Sequence, residues 1–187
     1  MLVITGFFCL LYDKWIGYLN SSIKRRVRAM TYQASNSMAL GLWKKLGKRH
    51  LGRVLFSKAV CFKAPYFGSI KPYFHALAPG KVEVHVKKRR AVTNHINSVH
   101  AIAMCNAAEL AAGTCLDVSL DARYRWIPVG MEVKYQKIAK SHLKAVCQIE
   151  DYQTLTEGDH VLPVSVEDTQ GVEVFSAQIK MRVSARK

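Results

Sequence analysis

One stretch constrains this chain more than any other: VHAIAMCNAAELAAG, residues 99–113. Apolar side chains occupy every face at helical spacing, and a helix that is apolar all round has to be covered all round. Six alanines, at 101, 103, 107, 108, 111 and 112, keep this helix thin, so a covering surface can approach its backbone closely. Asn97 or Ser98 can cap its start, and Gly113 can end it.

The flanking sequence has the period of a covering sheet. In KVEVHVK, residues 81–87, Val82, Val84 and Val86 face one way and Lys81, Glu83, His85 and Lys87 the other, the pattern of a half-buried strand. Four further alternating runs come after the helix: Met131-Val133-Tyr135, Leu143-Ala145-Cys147-Ile149, 161–166 and 172–183. The last begins with Val172 and Val174 inward, then changes parity to Phe175, Ala177, Ile179, Met181 and Val183. A slip of one residue predicts a β-bulge near Val174 and Phe175. Short turns at 139–141, 157–159 and 168–171 predict antiparallel neighbours. The expected fold class is α+β: a strongly curved antiparallel sheet wrapped around one central helix, with extra helices at the N-terminal side. Residues 37–49 read as a helix with Met38, Leu42 and Leu46 as its apolar stripe. The period of 51–62 fits helix or strand, and Pro65, Pro72 and Pro79-Gly80 punctuate the chain between it and the first strand. Three regions result: an extension over 1–35, a helical lead-in over 36–65, and the main domain over 66–187.

With 187 residues, half of them hydrophobic, the chain can bury one substantial core without disulfides or metal. Its five cysteines are scattered, with no CxxC pair and no Cys/His cluster. That pattern points to free thiols in a reducing cytoplasm rather than a disulfide framework or a structural zinc site. The charge is uneven. Residues 1–65 carry twelve Lys and Arg against the single acid Asp13, whereas the remainder carries sixteen against twelve. Residues 1–30 combine an apolar helical face (Ile4, Phe7, Phe8, Leu11, Trp15) with the cluster Lys24, Arg25, Arg26 and Arg28. This fits weak contact with an anionic membrane surface, a loosely docked extension, or a translation start further along at Met30 or Met38. No nucleic-acid-binding motif is present, so nucleic acid is not an expected partner.

Glu109 stands out as the only charged residue between His100 and Asp117, on the central helix itself. An ionised carboxylate in such surroundings is costly unless it is paired, its pKa is raised, or the site opens to a ligand. Buried, perturbed acids are enriched at active sites. The segment NHINSVHAIAMCNAAELAAG, residues 94–113, resembles the hotdog-fold thioesterases of the phenylacetyl-CoA (PaaI-like) and 4-hydroxybenzoyl-CoA thioesterase group. In that pattern an Asn stands six residues before a His-Gly-Gly, and an Asp or Glu comes nine residues after the His. Asn94, His100 and Glu109 keep both spacings, while Ala101 and Ile102 replace the two glycines. The resemblance covers about residues 66–187, and the element order above is also the hotdog order.

The resemblance implies hydrolysis of an acyl thioester, with an acyl-CoA or acyl-carrier-protein substrate and no cofactor beyond the coenzyme A of the substrate. Glu109 would act as general base or attacking carboxylate, and Asn94 would hold the water or the carboxylate. His100 would order the helix start, and the Ala101 N–H would stabilise the oxyanion. It also implies a homodimer or dimer of dimers with each site between subunits, where Arg123, Arg125 and Trp126 are the substrate-binding candidates. Phe62, Tyr66, Phe67, Tyr73 and Phe74 are candidates to line an acyl tunnel. Two alternatives remain. One is a non-catalytic acyl-CoA or lipid-binding module on the same fold. The other is a 3-hydroxyacyl thioester dehydratase, from the fourteen-residue spacing of His95 and Glu109.

Overall fold

The computed structural model describes residues 32–186 together with Ile23 and Arg26. The amphipathic segment expected over 1–30 therefore lies outside the described residues apart from those two positions. The axis of the fold is a 19-residue helix, Ala101–Ser119, here part of a set in which α1 is Met38–Leu46, α2 is His50–Lys63 and this helix is α3. His100 caps α3, its Nδ1 accepting from the Ile102 N–H at 3.1 Å. Asn97 and Ser98, the expected caps, belong to the preceding loop, where Asn97 takes a left-handed φ of 56°. Nor does Gly113 end the helix. It is there for packing, because a Cβ at that position would stand 2.8 Å from Cη2 of Trp126. On the sealed faces Ala107, Ala108, Ala111, Ala112, Cys115 and Leu116 have no exposure at all. Among the described residues α3 is the helix long and apolar enough to cross a membrane, and it is the core helix of the domain.

Six strands surround it: β1 Tyr73–Ala78, β2 Lys81–Val86, β3 Tyr124–Tyr135, β4 Leu143–Gln148, β5 Gly158–Glu167 and β6 Glu173–Ala185. They form one sheet in the order β1-β2-β4-β5-β6-β3, with every pairing antiparallel. The expected bulge is present. The β5–β6 register passes from Val166 opposite Phe175 to Glu167 opposite Glu173, leaving Val174 as the extra residue. Both Val174 and Phe175 are buried in consequence. The turn at 139–141, by contrast, does not join sheet neighbours, because β3 pairs with β6 while β4 lies between β2 and β5. The chain instead crosses past the start of α3, where the Val99 N–H donates to the Ala139 carbonyl at 2.8 Å.

Strand β1 was not among the expected elements. A register shift between Phe74 and Ala76 makes His75 an extra residue, so the core-facing Phe74 and Leu77 are three apart instead of two. The β1–β2 turn carries Gly80 at a φ of 83°. A Cβ there would meet the Tyr152 ring at 2.9 Å, and the Gly80 N–H donates to Ser119 Oγ at 2.7 Å, which pins the turn to the end of α3.

The 51–62 stretch is helical, and α1 and α2 pack onto β1. Trp43 meets Phe56 edge-on at 5.0 Å, and Phe56 meets Phe74 at 5.1 Å and 90°. Ser57 Oγ accepts from the Phe74 N–H at 3.0 Å. The buried side of α1 is Leu40 with Trp43 beside it, while Met38, expected inward, is 75% exposed. All these elements lie within one compact unit, Gln33–Lys187.

Candidate active site

Helix α3 is not closed on every side. At 100° per residue, positions 102, 105, 109 and 113 fall along one row, and this row faces the edge strand β3. Its N-terminal end is open, with Ile102 54% exposed. Next comes Cys105, whose Sγ lies 3.4 Å from the Tyr135 hydroxyl. That hydrogen bond, aided by burial, pushes the Tyr135 phenol above its usual pKa. The row ends at Gly113 under the Trp126 indole. Glu109 lies between. It is half-buried, not fully enclosed as the all-apolar helix predicts. Among the described residues its carboxylate makes no hydrogen bond and no ion pair. The cationic partner that could have neutralised it structurally is not supplied by the described part of the chain.

The other residues singled out by sequence are spread over two places. Asn94 and His100 organise the start of α3. Asn94 Oδ1 accepts from the Ser98 N–H at 3.0 Å and the Ile96 N–H at 3.2 Å, and its Nδ2 donates to Ser98 Oγ at 2.8 Å. Its amide thus shapes the 94–98 loop, in which His95 is exposed. His100 accepts with Nδ1, which places the ring proton on Nε2. Ala101 is the first residue of the helix, so its N–H has no intrahelical acceptor. Nine residues separate His100 from Glu109, or about 13 Å along the axis. The helix start and the carboxylate of one chain are therefore not brought together.

Arg123 is held by Asp121 through Nε at 2.9 Å and Nη2 at 2.8 Å. Burial of Asp121 works to raise its pKa. The Arg123 guanidinium and the Gln33 and Arg123 N–H groups outweigh this and hold it below the ordinary carboxylate value. Arg125 is exposed, with Nε 3.3 Å from Ser184 Oγ. Trp126 is the one of the three that reaches α3. Of the aromatics expected to line a tunnel, Phe62 and Tyr66 are 90% and 71% exposed, and Phe74 is wholly core.

Two features were missed by sequence reasoning. A cavity of about 190 Å³ opens beside the start of α3, with Ser69, Val92, His100, Ala103 and Asn106 in its wall. Asn106 is buried there; its Nδ2 donates to Ser69 Oγ at 3.1 Å, and its Oδ1 has no partner among the described residues. The only sequence signal was an amide on an otherwise apolar helix. The second is a His cluster, expected to be absent. Strand pairing brings His75, Glu83 and His85 together, although they are eight and two residues apart in sequence.

Comparison with known proteins agrees with this architecture. Residues 52–183 match the family described as a domain of unknown function, DUF4442. The structural-genomics protein APC5556 is 42% identical, with a TM-score of 0.71 over 80% of this chain and 99% of that one. PA5026 from Pseudomonas aeruginosa, described as a protein of unknown function and "probable thioesterase", is 20% identical, with a TM-score of 0.62 over 67% and 91%. The thioesterase HI1161 from Haemophilus influenzae is 10% identical, with a TM-score of 0.58 over 64% and 82%. No curated protein matches the chain by sequence. The chain belongs to the DUF4442 family and has the hotdog fold of the thioesterase structures it resembles.

Proposed function

We propose that the protein hydrolyses acyl thioesters of coenzyme A or an acyl carrier protein in the cytoplasm, acting as a homodimer or a dimer of dimers. The observation that carries this reading is Glu109: a half-buried carboxylate without a partner among the described residues, on the open row of an apolar helix. A carboxylate so placed is free to take a proton from water as that water attacks the thioester carbon. The C–S bond then breaks, and the sulfur leaves as a thiol after receiving the proton. Direct attack by the carboxylate, giving an acyl-enzyme that water opens, uses the same group. The Ala101 N–H is the oxyanion donor. With about 12 Å of helix between Ala101 and Glu109, one chain cannot set both against a single carbonyl. Two chains joined along the outer edge of β3, which has no neighbouring strand among the described residues, would each contribute one. That edge supports the arrangement, as do the exposed Ile102, Ile127 and Tyr135 beside it.

The test is hydrolysis of an acyl-CoA panel by the wild type and by Glu109→Gln. We expect turnover by the wild type and a loss of about 10²- to 10⁴-fold in the variant, with fold and oligomeric state unchanged. An inactive wild type, or a variant as fast as the wild type, overturns the proposal. One observation favours the second reading, a non-catalytic acyl-binding module. At the helix start His100 already occupies the Ile102 N–H, and the Ile102 side chain stands where a glycine would leave room. Calorimetric binding of acyl-CoA without turnover would establish that reading instead.

A further inference from the structure

We propose that His75, Glu83 and His85 form a binding site for a divalent transition cation of the Zn²⁺ type on the outer face of the β1–β2 hairpin. Glu83 and His85 are two apart on β2 and so share a face. Val82, Val84 and Val86 fill the opposite, core face with at most 1% exposure. His75 reaches the same outer face because it is the extra residue in β1, and a bulge re-aims a side chain in this way. The result is a compact donor set. His85 Nε2 lies 2.6 Å from Glu83 Oε1, and the His75 and His85 rings stack at 4.7 Å with planes 3° apart. One donor atom from each of the three residues lies within 4.8 Å of the others. Ligands of a tetrahedral zinc, at about 2.0–2.1 Å from the metal, stand about 3.3 Å apart. Binding therefore requires the stacked rings to turn about their side-chain bonds until both lone pairs converge on the metal beside Glu83.

The donor types select the cation. Two imidazoles and one carboxylate suit Zn²⁺, Cu²⁺ or Ni²⁺, while Mg²⁺ and Ca²⁺ prefer all-oxygen sets. Lys44, Lys48, Arg53 and Lys81 line the cavity that His75 borders, so coordination by the donor atoms, not the local field, has to hold the cation. Lys144, opposite His85 in the β2–β4 register, pairs with Glu167 at 2.7 Å but also feels the Glu83 charge, whereas the hydrogen bond of Glu83 is to His85 at 2.6 Å. Three protein ligands leave a fourth position, and His75 is exposed, so water or a small solute fills it. The site is on the outside of the sheet, and it stands or falls independently of thioester hydrolysis.

The experiment is titration of the chelator-stripped full chain with Zn²⁺ by calorimetry, with Co²⁺ as a spectroscopic probe. We expect one Zn²⁺ per chain, a tetrahedral Co²⁺ spectrum without a thiolate charge-transfer band, and no competition from excess Mg²⁺. His75→Ala and His85→Ala should each weaken binding by at least about tenfold, and the double variant should abolish it. In the unaltered protein, Zn²⁺ should shift the ring NMR signals of two histidines only. That measurement decides the matter even if a variant misfolds. Failure of the wild type to take up Zn²⁺, a double variant that binds as the wild type does, or thiolate bands with Co²⁺ would each overturn the proposal.

Discussion

The two edges of the sheet are finished in opposite ways. At β1, helices α1 and α2 lie over the strand, and Phe56 and Phe74 interlock with no exposure. At β3, a 12-residue strand ends the sheet with no further strand beside it among the described residues, and Ile127, Val129 and Tyr135 are 60%, 44% and 52% exposed. An open apolar edge invites another strand. Pro128 removes only one donor from it. The chain thus covers itself on one side and, among the described residues, leaves the other uncovered, which is where the proposed second copy would dock. The same contrast explains why the open row of α3, with Glu109, lies on the β3 side.

The strongest blow to this contrast would be struck at the covered edge. Phe56→Ala should cost about 3–5 kcal/mol by chemical denaturation. A loss under about 1 kcal/mol would mean that the two helices are ornament and the edges alike. Gly113→Ala, next in size, forces a methyl against the Trp126 indole and should cost about 1–3 kcal/mol. Adding Trp126→Phe should recover part of that, and a melt that fails to recover would place the strain elsewhere. Ile127→Lys on the bare edge should change folding stability by no more than about 0.5 kcal/mol yet shift the protein toward monomer in light scattering. A dimer that survives it is not built on β3.

The smallest effect concerns Asp159, near the start of β5. Hydrogen bonds from Arg182 and Lys180 hold its carboxyl well below the usual carboxylate range. Because the folded-state pKa is lowered, its contribution is present above the ordinary carboxylate pKa and is lost as pH falls through the folded value. Arg182→Ala should flatten the acid limb of melting temperature against pH, more visibly at low salt because the cluster is exposed. An unchanged limb would show that this ion cluster does nothing for the β5–β6 pairing.

Much of the fold was legible because the core obeys simple periods. The 99–113 run, apolar on nearly every face, had to be the central helix, and the parity change at Val174 had to be a bulge. Strand β1 was hidden by its own bulge, since inserting His75 turns a period of two into a spacing of three. The end of α3 was hidden because Gly113 reads as a stop until Trp126, thirteen residues on, is seen lying against it. Glu109 was legible as an anomaly of charge. Its openness was not, because whether a carboxylate in an apolar helix is sealed depends on how far β3 covers it. The His75, Glu83 and His85 group was invisible for the same reason as β1: only the strand register assembles it.

The contact between Gly113 and Trp126 also marks an end. It closes the row of α3 that carries Glu109, about 16 Å along the helix from Ile102, which is exposed. An acyl group laid along this row, as the proposed reaction requires, would approach from the exposed Ile102 end, because Trp126 stands against the helix at the other.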